Sequence, residues 1–175
     1  MTAPLDATLR PASAADLPLL TRMLACAADW RPDAEVRSGE DVLADPHLRR
    51  YVEGWPRAGD AGVVALDGAN RPLGASWYRV FSESEPGYGF VDAATPELSI
   101  AVEATSRGRG VGEALLRELV RVARVRGAGA LSLSVEPDNP ARRLYEKAGF
   151  EPIDAHADAC ADGPGSVTMR LVLGP

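Results

Sequence analysis

The spacing of apolar residues changes several times along the chain, and each change marks an element. From Asp16 to Asp29, Leu17, Leu20, Leu24 and Ala28 recur at helical spacing. Pro18 is tolerated there only in the first turn. Leu98, Ile100 and Val102 alternate within Glu97–Val102, the two-residue period of a strand. The clearest helix is Arg109–Arg126, with Val111, Leu115, Leu119 and Val122 on one face. Its other face carries Glu113, Arg117, Glu118, Arg121 and Arg124, spaced for helical ion pairs. Leu131–Val135 alternates again and reads as a strand.

Weaker patterns complete the order. Thr8–Ala12 is a short strand, Arg31–Gly39 a break, and Glu40–Glu53 a shorter helix. Ala61–Leu66 and Leu73–Phe81 are strands flanking a turn at Asp67–Pro72. Ser82–Thr95 is polar, holds glycines and a proline, and suits a loop beside a site. Pro140–Ala148 is a short helix with Asn139 as N-cap, proline first and Gly149 past its end. Val167–Leu173 is a final strand. The fold class is mixed α/β, with a strand–helix–strand–helix unit in the C-terminal half.

A chain of 175 residues fits a single domain over 1–175. Such a chain buries roughly 70% of the surface its unfolded form exposes, so it stands without disulfides or metal. Cys26 and Cys160 lack metal-ligand spacing and read as reduced, idle thiols. Met1–Arg10 has no apolar secretion segment, and no run reaches membrane-spanning length, so a cytoplasmic protein is expected. The net charge of −6 argues against nucleic-acid binding. It also requires any polyanionic ligand to be held by local donors against the overall field.

One segment supplies such donors. Arg107-Gly-Arg-Gly-Val-Gly112 runs from the strand ending near Val102 into the helix. Gly108, Gly110 and Gly112 let the backbone approach a ligand, and the first helical turn offers unpaired N–H groups at its positive end. Together with Arg107 and Arg109 these suit a phosphate group. A glycine-rich turn with solvated arginines is the plainer alternative. A P-loop is excluded because Gly112 is followed by Glu113 rather than Lys-Ser/Thr. A dinucleotide fingerprint is excluded because the third glycine comes one residue early.

Downstream, Asn139, Tyr145 and Gly149-Phe150 follow a strand in fixed order, ending Leu-Tyr-x-x-x-Gly-Phe. With the Arg107-x-x-Gly110-x-Gly112 turn, this stretch from Glu97 to Phe150 resembles the GNAT superfamily of N-acetyltransferases. The N-terminal half agrees only in the order of its elements. The resemblance implies a twisted mixed sheet with helices on both faces, splayed between the strands holding Ile100 and Leu133. It divides the chain into an acceptor-side half, about 1–95, and an acetyl-CoA-binding half, about 96–175. The pantetheine arm of acetyl-CoA would lie in the cleft against Ile100, Ala101 and Val102, hydrogen-bonding main-chain groups of Ala101 and Val102. The pyrophosphate would sit on Arg107, Gly108, Arg109, Gly110, Val111 and Gly112, and Asn139 would hydrogen-bond the cofactor arm.

Acyl transfer to an amine needs a base for the ammonium, whose pKa is about 10.4, a donor for the developing oxyanion, and an acid for the leaving thiolate. By family position Tyr145 is the acid, lining the cofactor site as well, and the Val102 N–H serves the oxyanion. Glu97 is the base candidate; a solvated strand-end carboxylate is the alternative, with Asp92, Glu83 and Glu85 as substitutes. The acceptor is a primary amine of a small molecule or a protein, and a homodimer accords with family habit. Two other readings stay open: a non-catalytic acyl-CoA sensor, and a transferase using another acyl-CoA. His47 and His156 are isolated, and no metal site is expected. Of Trp30, Trp55 and Trp77, the Trp77–Tyr78 pair has the stronger claim on an acceptor pocket, since one of the two should face the cleft.

Overall fold

A computed structural model describes residues 7–153 and 165–174 of the chain. His156 and Cys160 lie outside them. The described residues form a seven-stranded sheet: β1 (Thr8–Pro11), β2 (Ala61–Leu66), β3 (Pro72–Arg79), β4 (Glu97–Val102), β5 (Ala130–Val135), β6 (Glu151–Pro152) and β7 (Val167–Val172). Their spatial order is β1-β2-β3-β4-β5-β7-β6. Neighbours are antiparallel except β4 and β5, which run parallel. The helices are α1 (Leu17–Ala28), α2 (Gly39–Ala44), α3 (Pro46–Arg49), α4 (Val111–Val125) and α5 (Ala141–Lys147).

Strand alternation sends neighbouring residues to opposite faces, and each face has its own core. On one face Leu20, Met23 and Leu24 of α1 pack with Val42, Leu48, Trp55, Val64 and Ala101. On the other, Val111, Leu115 and Leu119 of α4 pack with Val63, Leu98, Leu131, Phe150 and Met169. Leu115 and Leu119 are fully buried, each contributing roughly 2 kcal/mol by removal from water.

Most expected elements are present, with shifted ends. The helix expected over Glu40–Glu53 is two short pieces, because Pro46 has no N–H to continue α2 and instead starts α3. Helix α4 begins at Val111 rather than Arg109, because Gly110 before it is left-handed, φ 83°. Glu118 and Arg121 form a helical ion pair, whereas Glu113 reaches across to Lys147 of α5. The two-residue strand β6 had no periodicity to reveal it.

The Trp77–Tyr78 expectation is overturned. Both side chains are buried, one in each core: Trp77 against α1 and Tyr78 against α4. At these two positions β3 is covered by α1 on one face and α4 on the other, so neither side chain reaches the cleft. Trp30, after α1, lines it instead.

Candidate active site

Strands β4 and β5 are joined at one register pair, Glu97 opposite Ser132. The Ser132 N–H donates to the Pro96 carbonyl at 2.9 Å, and beyond that point the strands diverge. The gap is a cleft of about 650 Å³. Its walls are β4, the end of β5, the C-terminal turn of α1 and the N-terminal ends of α4 and α5. Sheet splay between these two strands, expected from the resemblance, is therefore present.

Divergence leaves main-chain groups without a strand partner. Glu103 N–H donates to Leu73 O at 2.8 Å, which sets the phase of the β3–β4 ladder. Odd-numbered β4 residues thus bond to β3, and Ile100 and Val102 present their N–H and C=O groups to the cleft. The expectation of main-chain contacts at Ala101 is corrected on this point: its N–H and C=O are taken by the ladder with Ala75, and its methyl lies in the α1-side core. The Val102 carbonyl accepts the Arg107 Nε–H at 3.3 Å.

The glycine turn follows. Gly108 and Gly110 have φ of 71° and 83°, a region that side chains other than glycine rarely adopt. Space is open where a Cβ would stand on either residue. Arg107, Gly108 and Gly112 line the cleft; Arg109 is exposed beside it, and the Val111 side chain turns into the core. Open space, bare amides at a fifteen-residue helix start and two exposed arginines fit a nucleotide pyrophosphate.

Asn139 also lines the cleft, and its Oδ1 accepts the Ala141 N–H at 2.9 Å. Pro140, not Asn139, is the N-cap of α5, and this bond across the preceding turn uses the Asn139 oxygen only, leaving the side-chain amide hydrogens for a ligand. Tyr145 of α5 lines the cleft with its ring edge-on to Phe150, centroids 6.0 Å apart. Burial raises its phenol well above the ordinary value. It therefore holds its proton at any working pH.

Glu97 is 3% exposed and lines the same cleft. Its Oε1 accepts the Tyr51 hydroxyl at 2.7 Å and the Gly89 N–H at 2.9 Å. Oε2 is buried with no hydrogen-bond partner among the described residues. Burial pushes this carboxyl up to about 7, opposed by the Tyr51 and Gly89 hydrogen bonds and by Arg50. A strand-end carboxylate in solvent, the alternative reading, is not what the fold builds. Glu83, Glu85 and Asp92 are exposed and do not line the cleft.

Several contributors carried no sequence signal. Tyr51 lies in the turn after α3. That turn is held by Arg79, whose guanidinium donates to Arg50 O and Glu53 O, both at 2.8 Å, and pairs with Asp60 at 2.6 Å. Both members of the ion pair are 1% exposed. Cys26 lines the cleft, and burial raises its thiol, so it stays neutral. His47 is exposed on α3. None of the described residues forms a His/Cys/Asp/Glu cluster able to hold a metal, and no described helix is long and apolar enough to cross a membrane.

Comparison with known proteins accords with this geometry. Residues 25–150 match the model of the acetyltransferase (GNAT) family, and the chain belongs to that family. It is 38% identical over 127 residues to the mycothiol acetyltransferase of Beutenbergia cavernae, covering 71% of this chain and 35% of that protein. It is 30% identical over 148 residues to the L-methionine sulfoximine/L-methionine sulfone acetyltransferase of Pseudomonas paraeruginosa, covering 84% and 81%. The chain spans between about a third and a half of the mycothiol acetyltransferases it matches. Among solved structures, the phosphinothricin acetyltransferase of Sinorhizobium meliloti, in complex with acetyl-CoA, superposes with a TM-score of 0.67 at 25% identity, covering 97% of this chain and 89% of that one.

Proposed function

We propose that the protein is an N-acetyltransferase that uses acetyl-CoA and acts on the primary amine of a small molecule. The observation that carries this reading is the buried carboxylate of Glu97 in the same cleft as the glycine turn and Tyr145. The small-molecule acceptor is supported by the methionine sulfoximine acetyltransferase, of whose length this chain covers 81%. A cytoplasmic site of action, where acyl-CoA is available, belongs to the same reading.

Arg107, Gly108, Arg109, Gly110, Val111 and Gly112 would hold the pyrophosphate, Ile100 and Val102 the pantetheine amides, and Asn139 the arm. When bound, acetyl-CoA supplies an acetyl group on a thiolate leaving group. Glu97 takes the proton of the acceptor ammonium, directly or through a water. With its carboxyl at about 7, a substantial fraction is ionised near neutrality and is still basic. The Val102 N–H donates to negative charge developing on the carbonyl oxygen. Tyr145 holds a proton for the departing sulfur, and burial keeps that proton in place until charge arrives.

The test is release of free thiol from acetyl-CoA across a panel of amines, including methionine sulfoximine and other small amino compounds. Amine-dependent release that falls in Glu97→Gln and in Tyr145→Phe supports the reading. Tight acetyl-CoA binding with no release on any amine would replace it with a sensor.

A further inference from the structure

Glu97 is fastened by one oxygen only, and the residue fastening it is Tyr51. The Tyr51 hydroxyl accepts the Tyr88 N–H at 2.6 Å, so its single proton has one destination, Glu97 Oε1 at 2.7 Å. Gly89 adds a second donor to that same oxygen. Oε2 is left bare. A buried carboxylate serving the fold alone would have both oxygens satisfied, because each unpaired buried acceptor costs free energy.

We propose that Tyr51 is a positioning residue for acetyl transfer: by occupying Glu97 Oε1 it fixes the orientation of the carboxylate that receives the acceptor's proton. This rests on the assignment of Glu97 as the base.

Tyr51 is itself held on every side. Its carbonyl accepts the Trp77 indole N–H at 3.0 Å, and Arg79 bonds the carbonyls of Arg50 and Glu53 on either side of it. Its ring stacks on Tyr88 and meets the edge of Phe81, centroids 6.3 and 5.0 Å away. The loop after β3 closes the arrangement. A Cβ on Gly87 would collide with Glu97 Oε2, and one on Gly89 with the Leu133 main chain, so only glycines let this loop cross the fork of β4 and β5. Burial and the nearby Glu97 raise the Tyr51 phenol well above its ordinary value, so it remains a donor throughout.

Few charges compete for this carboxylate. Arg50 favours its ionised form from the turn after α3. Arg79, the register partner of Glu97 in β3, spends its guanidinium on Asp60. From the loop the contributor is Gly89, through its main-chain N–H, and from β5 the register partner is the uncharged Ser132. The Tyr51 hydrogen bond is therefore a principal support of the charged carboxylate, and removing it raises the pH at which Glu97 ionises.

The experiment is the pH dependence of kcat/KM in Tyr51→Phe, with a double-mutant cycle against Glu97→Gln. Expected in Tyr51→Phe is a loss of roughly tenfold to hundredfold, with the KM for acetyl-CoA unchanged and the acidic limb moved up by about 1 pH unit. In the Glu97→Gln background the same change has little further effect. As a second variant that removes no atoms, 3-fluorotyrosine at position 51 strengthens the donor and moves the limb down. An unmoved limb in both Tyr51 variants overturns the positioning role even where Glu97→Gln still shows the large loss expected of a missing base. Full activity in Glu97→Gln overturns the base assignment and the positioning role with it. Equal losses in both backgrounds also overturn it, because Tyr51 then acts independently of Glu97.

Discussion

Glu97 faces Ser132 at the one register pair where β4 and β5 meet, so the carboxylate stands at the apex of the fork that opens the cleft. One position thus closes the sheet on one side and contributes a buried carboxyl to the cleft lining on the other. Past it, Ile100 and Val102 direct main-chain groups into the gap, while α4 and α5 bring the glycine turn, Asn139 and Tyr145 to its rim. The site exists because two parallel strands stop pairing.

Replacing Glu97 with Gln lowers kcat/KM by roughly 10²- to 10⁴-fold, the range for loss of a general base. In the parent protein kcat/KM rises as pH passes through about 7, where Glu97 loses its proton. That limb disappears in the variant. Initial rates from pH 5.5 to 9 check both statements.

Stability shows the same group with a definite sign. The folded carboxyl ionises at about 7 against 4.5 ordinarily, because burial disfavours its charge. Between those values the native protein keeps a proton that the unfolded chain has released, so this contribution to stability falls as pH rises through the window. Glu97→Gln has no such loss. Its stability relative to the parent therefore increases from pH 4.5 to 7, by on the order of 3 kcal/mol at most. Urea unfolding of both proteins across this range measures the difference, and parallel curves would refute it.

Gly110→Val places a β-branched residue at φ 83°. The substitution destabilises the protein by about 1–2 kcal/mol, and in the proposed binding mode the added side chain takes the space of the pyrophosphate. Calorimetric titration with coenzyme A is expected to show at least a tenfold weaker Kd. Unchanged affinity would remove the glycine turn from the binding site.

Tyr145→Phe keeps the ring that packs on Phe150 and deletes only the phenolic proton. The expected result is a kcat reduced by roughly tenfold to hundredfold with little change in KM for acetyl-CoA or in Tm. Equal kcat in the two proteins removes Tyr145 as the acid.

Asp60→Asn leaves the Arg79 guanidinium charged and poorly compensated in the interior. A loss of about 3–5 kcal/mol is expected, because breaking a buried ion pair strands the remaining charge. Thermal unfolding checks this, and a change under 1 kcal/mol contradicts it.

The amino-acid sequence determined the parts of this protein that are local. The four-residue spacing of Val111, Leu115 and Leu119 specified α4, and alternation in Glu97–Val102 specified β4, because periods of 3.6 and 2 follow from backbone geometry alone. Gly108 and Gly110 were legible for a similar reason: a turn with positive φ needs glycine wherever it falls. Glu97 and Tyr145 could be named from their place in a pattern, but not what surrounds them. Tertiary structure decided the rest. Tyr51 lies 46 residues from Glu97 in the chain, and their hydrogen bond depends on Arg79, Asp60 and Trp77 holding a turn with no periodicity. Trp77 and Tyr78 went to opposite cores because α1 covers one face of β3 at these positions and α4 the other, a fact about neighbours. Burial likewise comes from the whole fold, and burial is what lifts the Glu97 carboxyl to about 7, the range the proposed base requires.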